Sequence, residues 1–406
     1  MLEPRYLQQI SDGAENIASQ LHEYIVRQIV DRMMIRIGRG ESYLLTSSDR
    51  WRIEVLQDSG YLLDDITAEL AKYTKRQEKE IKAAMEEAGV KALEYDDKIY
   101  QAAGLSPMPL TQSPALIRLM ERSYNATLGE WRNMTRTTAQ AAQRQFINEC
   151  DMAYNKVMSG AVAYNQAVRE AVEAAVSGGV YVNYPTGHRD TIETATARAV
   201  RTGIAQAAGD ISIKRMEEMD WDIILVSAHI GARTGDGGQN PGNHLWWQGQ
   251  FYSRTGRDKR FPDFYKSTGY GTGEGLCGWN CRHSVGSGDG VNNPYKDIQT
   301  ADNIRMEKLE QRQRALERRV RKTKREVMGL QEAVEKCQDE AAKFELQQTL
   351  DRKSYLLSRQ NKAYSDFCKQ NDLRPLNERL QIAKWSREQA AKARGAARRY
   401  QNAKGV

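Results

Sequence analysis

The sequence predicts an α+β fold that is predominantly helical, and three observations carry that expectation. Apolar residues recur at steps of three and four through most of the first 220 positions, which is the mark of one-sided helices. The clearest strand, Asp222-Ile223-Ile224-Leu225-Val226, runs straight into a stretch, Ser227–Asn293, dense in glycine, aromatics, histidine and cysteine. From residue 298 onward the composition changes abruptly to Arg, Lys, Glu and Gln on a heptad rhythm.

The elements follow in order. Leu7, Ile10, Ala14, Ile17, Leu21 and Tyr24 make one stripe over 4–37, ended by Gly38. Ser47-Ser48-Asp49 offers an N-cap before Trp51, Ile53 and Leu56, and an Ala/Glu/Lys-rich helix over 64–88 is expected to stop at Gly89. Ser113-Pro114 reads as an N-cap with proline at the first helical position. That helix carries Leu116, Leu119, Met120, Tyr124, Leu128 and Trp131, with a break at Gly160 and a further helix ending at Gly178-Gly179. Val180-Tyr181-Val182 is a short strand candidate, Pro185-Thr186-Gly187 a turn, and Thr191–Glu218 a helix. Leu309, Leu316, Val320, Val327, Leu330, Val334, Cys337, Ala341 and Phe344 then predict a coiled-coil-like helix, able to self-associate through 309–344, or a helix that docks on another surface. A break near Asn371–Pro375 precedes a final basic segment.

The totals bound the function. No apolar run approaches the ~20 residues that cross a bilayer, and the N-terminus has no apolar h-region, so neither a membrane span nor a secretory signal is expected. Five cysteines, three of them scattered (Cys150, Cys337, Cys368), do not form a disulfide framework and fit a reducing compartment. The net charge of +7 is unevenly spread: residues 301–406 hold 26 Lys and Arg against 15 Asp and Glu, which leaves the first 300 slightly acidic.

Two groups of residues carry chemistry. Cys277-x-x-x-Cys281-x-His283, with His244 upstream, has the ligand types of a tetrahedral structural zinc. The alternative is that the cysteines are small core residues beside Trp279 and the histidines brace loops. A catalytic zinc is not expected, because no HExxH-like glutamate accompanies the histidines. His229, Arg233, Asp236 and His244 could form an acid–base site, yet irregular backbone also needs such braces and no nucleophile with a paired base stands out. Gly269–Gly275 superficially resembles a phosphate loop, but no helix opens after it and it lacks the lysine. The second group is the basic arm. Arg314, Arg318, Arg319, Arg321, Lys322, Lys324 and Arg325, with Arg398 and Arg399 near the end, suit salt-sensitive, sequence-indifferent contact with double-stranded DNA; a solvated helix face is the plainer account.

The segments SAHIGARTGDGGQNPGNHLWWQGQFYSR and FPDFYKSTGYGTGEGLCGWNCRHSVGSGDG resemble the phage minor capsid protein 2 family, over about residues 180–295, and through it the Mu F-type head morphogenesis proteins. The matching positions are His229, Arg233, His244, Trp247, Gln248, Gly249, Cys277, Cys281 and His283, carried over as fold-defining. The resemblance implies a virion component in the capsid interior or at the portal vertex, made in the host cytoplasm, with the portal or major capsid protein as partner.

The expected organisation is a helical docking region over 1–179, a small loop-rich α+β domain over 180–297 and a basic helical arm over 298–406. The expected role is structural and not enzymatic. The competing class is a virion-delivered hydrolase or transferase built on the His229/His244 loop.

Overall fold

A computed structural model of the chain describes residues 1–184, 186–295, 298 and 300–405, with Arg136 and Asn183 described by backbone alone. About 70% of the chain is helical, so the predominantly helical α+β class holds. The first helices are α1 (Pro4–Gln9), α2 (Asp12–Ile37), α3 (Glu41–Leu44) and α4 (Ser48–Ala102). They are followed by α5 (Pro114–Met158), α6 (Tyr164–Gly178), the hairpin β1 (Tyr181–Asn183) and β2 (Arg189–Thr191), and α7 (Ile192–Glu218). Short elements come next: β3 (Ile223–Val226), α8 (His244–Trp247), β4 (Phe251–Ser253), α9 (Phe264–Thr268) and β5 (Val285–Ser287). The chain ends in α10 (Thr300–Lys336), α11 (Glu340–Gln370) and α12 (Arg387–Lys404).

These elements form two compact units that are not consecutive pieces of sequence. One comprises residues 1–15, 75–133 and 194–311, the other 16–74, 134–193 and 312–406. The boundary expected at 179 lies inside the second unit, and that at 297 falls, like Pro185 of the expected turn, outside the described residues.

The first unit is built on a three-stranded antiparallel sheet with β3 between β4 and β5. Ile224 pairs with Tyr252 and Ser287, and Val226 with Val285. Against it pack Leu7, Ile81, Met85, Ala88 and Tyr100 from the early helices, Ile204, Ala208 and Met216 from α7, and Trp247, Phe264 and Leu276 from the loops. Gly89 does not stop a helix: α4 runs on to Ala102. A Cβ there would lie 3.1 Å from the Ile211 side chain and 3.2 Å from Met120 Sδ, so the glycine serves close packing. Other terminators stand where expected. α2 ends at Ile37 before Gly38, α6 ends at Gly178, and the Ser113 hydroxyl accepts from the Leu116 N–H at the start of α5.

Among its described residues the second unit has no strands but those of the β1–β2 hairpin. Trp51 stacks on Tyr154 at 4.6 Å and donates to Asp151, while the Tyr164 hydroxyl donates to Ile37 O and accepts from Gly40 N–H. α10 is packed along its apolar stripe. Val320, Val327, Leu330 and Ala333 are buried, and so are Thr323, Lys324, Arg325 and Glu326. A side chain at Gly329 would strike Val176 at 2.4 Å. The helix stops at Lys336, and Asp339 caps α11 by accepting from Ala342 N–H. That break shifts the stripe to Ala342 and Leu346 and leaves Phe344 exposed, so one continuous heptad through 344 does not form. α11 packs against α6 and α12, with Tyr355 stacked on Tyr400.

Candidate metal centre

The first unit brings the histidines together because its central strand ends where three loops converge. β3 leads directly into Ser227, Ala228 and His229, and β5 is preceded by Cys281-Arg282-His283-Ser284. The two approaches are tied by backbone: Ser227 N–H donates to Ser284 O at 3.0 Å, and Ser284 N–H to the Ser227 hydroxyl at 2.9 Å. The third approach is the single turn of α8, whose N-cap Asn243 accepts from Trp246 N–H and so places His244, Trp247 and Gln248.

The imidazoles of His229 and His283 stack at 4.5 Å between ring centres, and His244 and Trp247 meet His283 edge-on at 5.3 and 4.9 Å. Gln248 Oε1 accepts the His229 backbone N–H at 3.1 Å and lies 2.9 Å from His283 Nε2. An oxygen that already accepts requires the proton on His283 Nε2, which assigns a lone pair to Nδ1. That Nδ1 lies 3.5 Å from Cys281 Sγ. His244 Nε2 lies 2.8 Å from Glu274 O and 2.6 Å from Arg233 Nη2, which itself donates to Glu274 O.

Burial sets the electrostatics. It lowers the His244 pKa to about 4, with the Arg233 charge adding to the effect and the Glu274 carbonyl opposing it. His283 is pushed well below the usual histidine range, by burial first and then by the neighbouring His229, His244 and two arginines. Burial raises both thiols, Cys277 and Cys281. Neutral imidazoles are what a metal requires, and a thiol raised by burial becomes a thiolate when a cation replaces its proton.

One ligand atom each from His244, Cys281 and His283 lies within 4.8 Å of the others, and all three residues are buried. Cys277 stands outside this group. Its Sγ is 3.8 Å from the His283 carbonyl, and its electrostatic neighbours are Cys281, Asp210 and Tyr270. The donor set of two imidazoles and one thiol fits a zinc-class cation.

The glycines upstream are structural. Gly271 N–H bonds Leu276 O, Leu276 N–H bonds Thr268 O, and Trp279 N–H bonds Gly273 O, so the loop spends its amides on its own carbonyls. A Cβ on Gly275 would lie 2.2 Å from Gly269 O, and one on Gly278 2.2 Å from Thr272 O. Gly249 has φ +66° between Tyr295 and Ala228, which explains glycine after Gln248. Asp236 turns back on its own loop, accepting from Gly238 N–H and Asn240.

The sequence reading missed the residues that hold this loop from the start of α10. Asn303, fully buried, accepts from Gly231 and Ala232 N–H and donates to Ala232 O. Glu307 accepts from Thr234, and Glu310 from Arg282. Only the asparagine among charges offered a signal.

Of the basic set, Lys324 and Arg325 are removed from any polyanion face. Lys324 is buried and donates to Leu380 O, and buried Arg325 pairs with Glu23 and Glu193. Arg321 donates to Arg379 O, and Arg399 pairs with Asp351. Arg318, Arg319, Lys322 and Arg398 are exposed, and Arg314 is half-buried. No described helix is long and apolar enough to cross a membrane.

The family model described as phage minor capsid protein 2 matches residues 2–356 of the chain. No curated protein and no solved structure matches the chain significantly.

Proposed function

Since the chain belongs to the phage minor capsid protein 2 family, we propose that it is a structural component of a tailed-phage head, seated near the portal on the inner side and touching packaged DNA. The observation that carries this reading is the extent of the match. It takes in residues of both compact units and not merely the histidine-rich segment.

The physical character of the site supports a scaffold. Its His244 and His283 imidazoles are buried, beside Trp247 and Gln248, which suits bracing of irregular backbone more than turnover of a substrate. In this reading the cofactor is a structural zinc ion. The exposed cations Arg318, Arg319 and Lys322 on α10, with Arg398 on α12, supply the DNA contact.

The test is cross-linking mass spectrometry on purified particles. Cross-links from this chain to the portal protein are expected; absence of the chain from DNA-filled heads, or cross-links confined to tail proteins, overturns the placement.

A further inference from the structure

The histidine–cysteine cluster supports a more specific assignment, which rests on the scaffold reading of this layer. We infer that Cys281, His283 and His244 form a three-ligand zinc centre in which Gln248 is the positioning residue and Cys277 takes no part.

The geometry points to these three. A tetrahedral ion with a sulfur at about 2.3 Å and a nitrogen at about 2.05 Å holds those two donors about 3.5 Å apart. Cys281 Sγ and His283 Nδ1 stand 3.5 Å apart. The two donors are therefore already at the span of a tetrahedral edge, and His244 offers its nitrogen within 4.8 Å of both.

The surroundings supply what ligating histidines need. A metal-bound imidazole holds its ring by donating the other N–H, and His283 does so to Gln248 Oε1 at 2.9 Å. That oxygen is itself fixed by the His229 backbone N–H. His244 is held at Nε2 by the Arg233 guanidinium, 2.6 Å away, and by the Glu274 carbonyl at 2.8 Å, which together fix its ring beside Cys281 and His283. Cys277 instead sits in left-handed backbone, φ +59°, and its sulfur is not among the donor atoms that converge within 4.8 Å. Its role is the turn of the knuckle.

The test uses the full chain loaded with one equivalent of Co²⁺, read by the thiolate-to-cobalt absorption band and by metal content. One ion per chain is expected, with a band of single-thiolate intensity. Cys277→Ala keeps that band unchanged, Cys281→Ser loses it, and Gln248→Ala weakens affinity about 10- to 100-fold. Absence of stoichiometric metal in the folded wild type, or a band halved or abolished by Cys277→Ala, overturns the assignment. Should Cys281→Ser fail to fold, the wild-type band and its insensitivity to Cys277→Ala still decide the matter. These readings are independent of where the protein sits in the particle, which the cross-linking measures separately.

Discussion

The guanidinium of Arg325 lies 2.6 Å from the carboxylate of Glu193, with neither side chain more than 7% exposed. Glu193 is also 2.8 Å from His22 Nδ1, and His22 Nε2 in turn accepts the Val180 N–H. Arg325 completes the group by pairing with Glu23 at 2.9 Å. A residue that reads as one of a run of surface cations is thus the counter-charge of a buried network in the second unit.

Removing one member of a buried pair leaves the other without compensation, at a cost of about 3–5 kcal/mol. Arg325→Met is therefore expected to lower the unfolding free energy by that order in urea titration. Arg319→Ala, on the exposed face of the same helix, is expected to change it by less than about 0.5 kcal/mol.

The same network gives a pH dependence. Burial by itself would raise the Glu193 pKa, but Arg325 and His22 outweigh it and hold the group below its ordinary 4.5. A carboxylate depressed in the folded state contributes stability that is complete above the unfolded value and is lost as pH falls toward the folded one. The stability gap between wild type and Glu193→Gln is expected to be widest above about pH 5 and to narrow as pH falls below 4.5. Chemical denaturation across pH 3–7 checks it, and a gap that grows on acidification contradicts the arrangement.

Two glycine substitutions should move stability in opposite directions. Gly278→Ala places a methyl 2.2 Å from Thr272 O and 2.5 Å from Gly273 O, both rigid backbone, and is expected to disrupt the Cys277–Cys281 turn. Gly60, inside α4, has nothing within 4 Å of an added Cβ. Gly60→Ala is expected to raise stability by about 0.5–1 kcal/mol, because alanine loses less chain entropy in a helix. Thermal melts of the two variants provide the comparison.

DNA binding by the exposed cations has its own signature. Each phosphate contact contributes about −0.9 to the slope of log K against log salt on duplex DNA. Arg318→Ala combined with Arg319→Ala is expected to make that slope shallower by up to about 2 and to weaken binding to all sequences alike. Lys324→Ala, whose ammonium donates to Leu380 O inside the fold, is expected to leave the slope unchanged. An unchanged slope in the double variant removes the DNA role of this face.

Helix ends were legible in the sequence because they depend on local chemistry: Gly38, Ser113-Pro114, Gly160 and Gly178-Gly179 each mark a terminus within a residue or two. Of the ligand set Cys277, Cys281, His283 and His244 expected from residue type and spacing, three bring a donor atom within 4.8 Å of one another and Cys277 does not. Long-range packing was not legible. Nothing local to Gly89 announces Ile211 and Met120, and nothing in the Arg/Lys run of α10 tells Arg325, facing Glu193, from Arg319, facing solvent. Charge patterns report what a face carries and not which face another segment will cover.

The interleaving of the two units has a consequence for the chain as it leaves the ribosome. All residues of the first unit have been made once Gln311 is added, whereas the second lacks its last segment, 312–406, until the rest of α10, α11 and α12 have followed. Early stretches such as α6 must therefore wait, with apolar surface uncovered, for partners some 150 residues downstream. A nascent chain stalled near residue 300 would lack Asn303 as well as the cover for α6, and so be a target for chaperones or proteases before any particle is built.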